Sequence, residues 1–110
     1  MLSRRAALAA ALVLAASAAP ARAADPATIF GRSCAPCHGK EGEPSPVFAK
    51  QGVRNFKDAA WQKATTDAQI EQTIREGKKG TMMASFEKQL SAEDIKGLAG
   101  FIRKLGGARK

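Results

Sequence analysis

The stretch Cys34-Ala35-Pro36-Cys37-His38 constrains this chain most, because it holds both cysteines and the single histidine. Two thiols three residues apart can add to the two vinyl groups of one haem, and the adjacent histidine can reach the iron from the proximal side. The C-x-x-C-H therefore reads as a c-type haem attachment site, and a proximal histidine is a standard haem ligand. Three rival readings are weaker. A thioredoxin-like redox pair needs a βαβ context, which this sequence lacks. A zinc site needs about four ligands, and only these three Cys/His side chains exist. A disulfide closing so short a loop is strained and rarely purely structural.

The first residues point to export. Met1 to Arg5 is short and basic, Leu8 to Ala19 is an apolar run, and Ala21-Arg22-Ala23 is an A-x-A cleavage pattern. This predicts a secretory signal peptide over residues 1–23, cleaved after about Ala23, and one mature domain over residues 24–110. The apolar run is too short for a membrane-spanning helix, which needs roughly 20 residues. No later segment is apolar for long enough, so no membrane span is expected after cleavage. The pair Arg4-Arg5 is not taken as a folded-export signal, since an apocytochrome crosses unfolded and receives haem afterwards. Export fits the haem motif, because attachment to the thiols takes place outside the cytoplasm, and a periplasmic location is expected.

The remaining length supports one small domain, which buries a modest core and often needs a staple. A covalently held haem would supply one. The full chain carries a formal charge of +8; without Arg4, Arg5 and Arg22 the remaining 15 basic and 10 acidic residues leave +5. Two haem propionates would lower that further. A moderately basic domain suits an acidic protein partner or an anionic membrane surface. Nucleic acid is not expected, since the charge is dispersed and aromatic residues are few.

Helix signals come in three places. Asp25-Pro26 reads as an N-cap followed by proline at the first helical position, leading through Ile29 and Phe30 to the cysteines. Thr66-Asp67-Ala68-Gln69 is a capping box; Ile70 and Ile74 share a face, and Gly77 ends the helix. Ser91-Ala92-Glu93-Asp94 opens the third, where Ile95, Leu98, Ile102 and Leu105 recur at helical spacing beside Phe101. The Gly- and Pro-rich stretch from Gly39 to Asn55 reads as an irregular loop, with a short helical turn around Ala59 to Gln62. No sustained strand-type alternation occurs. The fold class is all-α, three main helices wrapped around one covalently attached haem.

In these features the chain resembles a class I monohaem cytochrome c of the small bacterial periplasmic type, from about Asp25 to Leu105. The haem motif follows the first helix, as in that family. Phe30, four residues before Cys34, matches the aromatic that packs where the first and last helices cross, against the helix bearing Leu98 and Phe101. Gly100 is expected to permit their close approach. Where the family often has glycine eight residues before the first cysteine, this chain has Pro26, so the crossing is expected to shift.

The resemblance implies a sixth iron ligand. With His38 used, a methionine sulfur is the natural candidate, and beyond the signal segment only Met82 and Met83 remain. The family's ligand loop reads Met-Pro-x-Phe. Aligning Phe86 puts Met83 at the ligand position, ahead of Met82, with Ala84 where proline is usual, so the loop lacks one source of stiffness. The alternative is that both methionines merely line the crevice. The resemblance further implies a proline carbonyl accepting the Nδ1–H of His38; Pro44 and Pro46 are both candidates. Trp61 either donates to a haem propionate or caps the core. Ile70 and Ile74 are expected on the haem face. Lys78, Lys79 and Lys88 flank the methionine loop and are candidates for docking an acidic partner.

These expectations describe a soluble periplasmic electron carrier rather than an enzyme: a monomer with one haem c, ligated by His38 and Met83, serving redox protein partners. The alternatives are a haem-based sensor or binder of small ligands with a labile sixth site, or the cytochrome subunit of a larger oxidoreductase. A peroxidase-like activity is disfavoured because no distal histidine exists.

Overall fold

The computed structural model describes residues 24–107; the expected signal segment, residues 1–23, lies outside them. The described chain is helical, with no strand. Helix α1 (Pro26–Ile29) passes through one π-helical turn (Phe30–Cys34) directly into α2 (Ala35–His38). Then follow α3 (Pro46–Lys50), α4 (Ala59–Ala64), α5 (Asp67–Glu76) and α6 (Ala92–Leu105). The stretch read as wholly irregular thus contains a helix, α3, begun by Pro46 at its first position, where a missing N–H costs nothing.

The two long helices start as their sequences dictate. Thr66 Oγ1 accepts from Gln69 N at 3.1 Å, and Gln69 Oε1 accepts from Thr66 N at 2.9 Å. Ser91 and Asp94 make the same reciprocal pair at the start of α6. Each cap satisfies donors that the helix leaves orphaned and is worth about 1 kcal/mol. Asp25 behaves differently: its side chain accepts from the Thr28 hydroxyl at 3.0 Å and makes no cap to the backbone.

The apolar stripes of α1, α5 and α6 meet in one core. Ile29, Phe30 and Leu98 are its most enclosed large side chains, with Ile70, Ile74, Ile95 and Ile102 around them. Phe30 packs on Phe101 with ring centres 5.0 Å apart, the crossing contact expected from the sequence. Gly100, however, does not supply the close approach: nothing lies within 4 Å of a Cβ built there. Gly97 does, because a Cβ on it would stand 3.0 Å from Pro26 Cγ. The bulk has moved to α1 as a proline ring, and the small residue sits opposite it on α6.

A polar clasp ties the last helix to the middle of the chain. Arg103 on α6 donates from Nε to Asp67 Oδ1 at 2.7 Å, and from Nη1 to Gln62 O at 2.6 Å and Gln62 Oε1 at 2.9 Å. Its Nη2 donates to Thr65 O. Gln62 Nε2 in turn donates to Phe56 O at 2.7 Å and Ile102 O at 3.0 Å. Among the described residues no buried side-chain polar atom lacks a partner.

Candidate haem site

The π-helical turn runs into the motif and ends on its first cysteine, Cys34, with Ala35 N reaching back to Phe30 O. Such wide turns concentrate at functional sites. Cys34 and Cys37 are free thiols, both half-buried. Burial pushes the Cys34 thiol up to about 11. A reactive redox cysteine needs the opposite shift, toward the thiolate. Among the described residues no group of three or more His, Cys, Asp and Glu could hold a bare metal ion.

After His38 the chain turns out through Gly39 at φ 84°, where a Cβ would run into the Glu43 carbonyl. His38 Nδ1 then lies 2.9 Å from Arg54 O. A carbonyl oxygen only accepts, so Nδ1 carries the proton and Nε2 keeps its lone pair. Burial also holds the His38 pKa below its usual range, with the Arg54 carbonyl pulling the other way, which favours the neutral ligand form.

The acceptor is therefore neither Pro44 nor Pro46. Pro46 is committed to the start of α3, and Pro44 is buried on the way into it. Instead Phe56 N donates to Gly42 O at 2.8 Å. That bond closes the loop and returns Arg54 to the side of His38. The Phe56 ring then stacks on the imidazole, centres 4.3 Å apart and planes at 17°. Trp61 packs on the Phe56 ring, centres 5.3 Å apart and planes tilted by 39°.

The methionine loop caps α5. Helix α5 ends at Glu76 before Gly77 (φ 72°), and its last carbonyls need partners. Phe86 N donates to Ile74 O at 3.0 Å, Ser85 Oγ to Arg75 O at 2.6 Å, and Lys78 N to Met83 O at 3.0 Å. Hydrogen bonds thus supply the stiffness that Ala84 does not. Met83 is half-buried and packs on the same core as Cys34, Trp61 and Phe86, whereas Met82 is 56% exposed. Ile70 and Ile74 are buried in that core, and Lys78, Lys79 and Lys88 are exposed.

The donor set fits a covalently bound haem: two reduced thiols beside a neutral histidine with Nε2 free, and a thioether seated on an apolar core. Sequence reasoning missed Arg54, Phe56, Gln62, Arg103 and Gly97. A backbone carbonyl carries no side-chain signature, so Arg54 had none to read. Arg103, a cation beside the apolar stripe of α6, was the one visible signal.

Residues 21–102 match the family described as cytochrome c oxidase, cbb3-type, subunit III. A cbb3-type cytochrome c oxidase subunit FixP of Azorhizobium caulinodans is 39% identical over 87 residues, covering 72% of this chain and 28% of that protein. Subunit CcoP of Cereibacter sphaeroides is 33% identical over 87 residues, covering 79% and 29%. This chain therefore spans little more than a quarter of the length of these relatives. Among solved structures, the KustC0563 c-type cytochrome superposes with a TM-score of 0.69 at 34% identity, over 74% of this chain and 98% of that one. A mutant of the same cytochrome gives 0.67 at 35% identity.

Proposed function

This chain belongs to the cbb3-type cytochrome c oxidase subunit III family, a c-type cytochrome family whose domain implies covalently attached haem c, and from that premise we propose that it is the electron-transfer cytochrome of a larger oxidoreductase. The haem would supply one-electron chemistry between Fe(II) and Fe(III). Cys34 and Cys37 would hold it by thioether bonds, and His38 Nε2 and the Met83 sulfur would ligate its iron, beside an apolar core that limits access of water. No acid, base or nucleophile is required, so the chain relays electrons and leaves turnover to its partner. The observation that carries this reading is the His38 Nδ1–H bond to Arg54 O, which fixes the tautomer a ligating histidine needs.

The bonds pinning the methionine loop favour a closed sixth site over a labile, sensor-like one. Met83, seated on the core, is the better ligand candidate. Met82 is exposed on a loop that Lys78, Lys79 and Lys88, also exposed, flank in sequence, and it suits an apolar contact within a basic docking face for an acidic redox partner. The motifs alone suit a freestanding soluble carrier, but the relatives named above are oxidase subunits, and they favour the subunit reading. The carrier remains the second reading, supported by a solved c-type cytochrome of which this chain covers 98%. Residues 1–23 acting as an export signal, and residues 24–110 as one cytochrome domain on the periplasmic side, belong to both; a monomeric state belongs to the carrier alone.

The test is the absorption spectrum of the oxidised protein, where sulfur ligation of Fe(III) gives a weak long-wavelength charge-transfer band that reports axial-ligand identity. The band should survive Met82→Ala and vanish in Met83→Ala. A protein with covalent haem that lacks the band and takes up CO would overturn the closed-site assignment. Fractionation of cells making the native chain separates the two functional readings. Retention with a membrane-bound oxidoreductase supports the subunit, and free recovery from the periplasm supports the carrier.

A further inference from the structure

We propose that Phe56 is a positioning residue for the iron ligand: its ring, together with the Arg54 carbonyl two residues earlier, fixes the rotational setting of the His38 imidazole. This rests on the reading of His38 as the proximal ligand.

The imidazole has one soft torsion once its Cγ is placed, the rotation about Cβ–Cγ, which is broad for rings of this kind. Two restraints act on it here. The bond from Nδ1 to Arg54 O at 2.9 Å holds one edge. Phe56, stacked at 4.3 Å and 17°, blocks the face, since turning the imidazole would drive its edge into the phenyl ring. The other aromatic contacts in this core are tilted by 39° to 59°. The near-parallel packing is thus peculiar to the histidine.

Phe56 is itself held on several sides, so it acts as a fixed wall. Its N–H donates to Gly42 O at 2.8 Å and its carbonyl accepts from Gln62 Nε2 at 2.7 Å. Gly42, at φ 86°, lies so close that a Cβ there would stand 3.1 Å from Phe56 Cβ. Phe30 and Trp61 brace the ring at 6.1 Å and 5.3 Å. Between Arg54 and Phe56, Asn55 Oδ1 accepts from Lys57 N at 2.9 Å, a local turn of the kind Asn favours. The plane of a ligating imidazole decides which iron d orbitals it overlaps, and the partners that orient a ligand tune its metal.

The experiment compares wild type, Phe56→Leu and Phe56→Tyr as mature holoproteins. It reads the ferric EPR g values, the spread of haem-methyl NMR shifts and the reduction potential. Phe56→Leu is expected to keep the covalent haem and the sulfur-ligation band while shifting all three readouts. Phe56→Tyr should return them toward wild type. If Phe56→Leu lowers the melting temperature but leaves all three at wild-type values, Phe56 is core packing only and the proposal fails. Should Phe56→Leu not accumulate with haem, the reduced wild-type protein decides: NOEs between the His38 and Phe56 ring protons support the stack, and their absence overturns it. A wild-type spectrum without histidine–methionine features would instead strike the ligand assignment itself, a failure distinct from that of Phe56.

Discussion

Pro26 Cγ lies 3.0 Å from where a Cβ on Gly97 would stand, and this pair sets how closely the first and last helices cross. Gly97→Ala would gain helix propensity of about 0.5–1 kcal/mol but lose roughly 1–3 kcal/mol to overpacking against a rigid ring. A net loss of about 1 kcal/mol is expected. Gly100→Ala, with nothing within 4 Å of its new Cβ, should instead gain about 0.5–1 kcal/mol. Thermal unfolding of the two holoproteins checks the opposite signs. Equal stabilisation by both would remove Gly97 from the crossing.

Gly77 is the hinge on which the methionine loop rests. At φ 72°, a Cβ there would meet Met83 O, Ala84 C and Ser85 N, each at 2.8 Å. With ψ at −173° this is a backbone region that only glycine visits freely, so Gly77→Ala adds a cost of about 1–3 kcal/mol and pushes the loop off α5. The sulfur-ligation band should weaken and cyanide should bind faster. Ser85→Ala removes one bond to Arg75 O and should cost only about 1 kcal/mol, with the band retained. An intact band and unchanged cyanide uptake in Gly77→Ala would count against the pinned loop.

Arg103 should matter far more than its ion pair suggests. Its partner Asp67 is 71% exposed, so Asp67→Asn is expected to cost less than about 1 kcal/mol. Arg103→Met strips donors from Gln62 O, Gln62 Oε1 and Thr65 O and should cost about 2–3 kcal/mol. Arg103→Lys should recover little, because lysine lacks the planar fork. Denaturant midpoints of the three variants test this ordering.

Asp94 makes stability fall in acid. The Ser91 backbone N–H holds its carboxyl below the usual carboxylate range, and the Ala24 N–H adds to this. A carboxylate with a lowered native pKa stabilises the fold fully above its unfolded pKa of about 3.9, and loses that stabilisation as pH falls through the native value. Wild type should therefore be more stable than Asp94→Asn at neutral pH, and the gap should close as the pH drops below about 4. A gap that does not vary with pH would show that the cap acts through shape alone.

The capping boxes at Thr66 and Ser91, the apolar stripe of α6 and the C-x-x-C-H motif were legible because each is local. A cap joins residues three apart, a helix face repeats every few residues, and the two thiols and the histidine lie within five positions. From these the all-α class and the covalent haem follow without coordinates. Tertiary structure alone decided the rest. Arg54 rather than Pro44 or Pro46 accepts the His38 Nδ1–H hydrogen bond because the Gly42–Phe56 bond brings that carbonyl alongside, and a carbonyl belongs to every residue type. Gly97 rather than Gly100 faces Pro26 because the crossing depends on which side of α6 meets α1. Met83 rests on the core while Met82 faces solvent because the C-terminal carbonyls of α5 draw the loop onto the helix end, and no residue in the loop records that pull by itself.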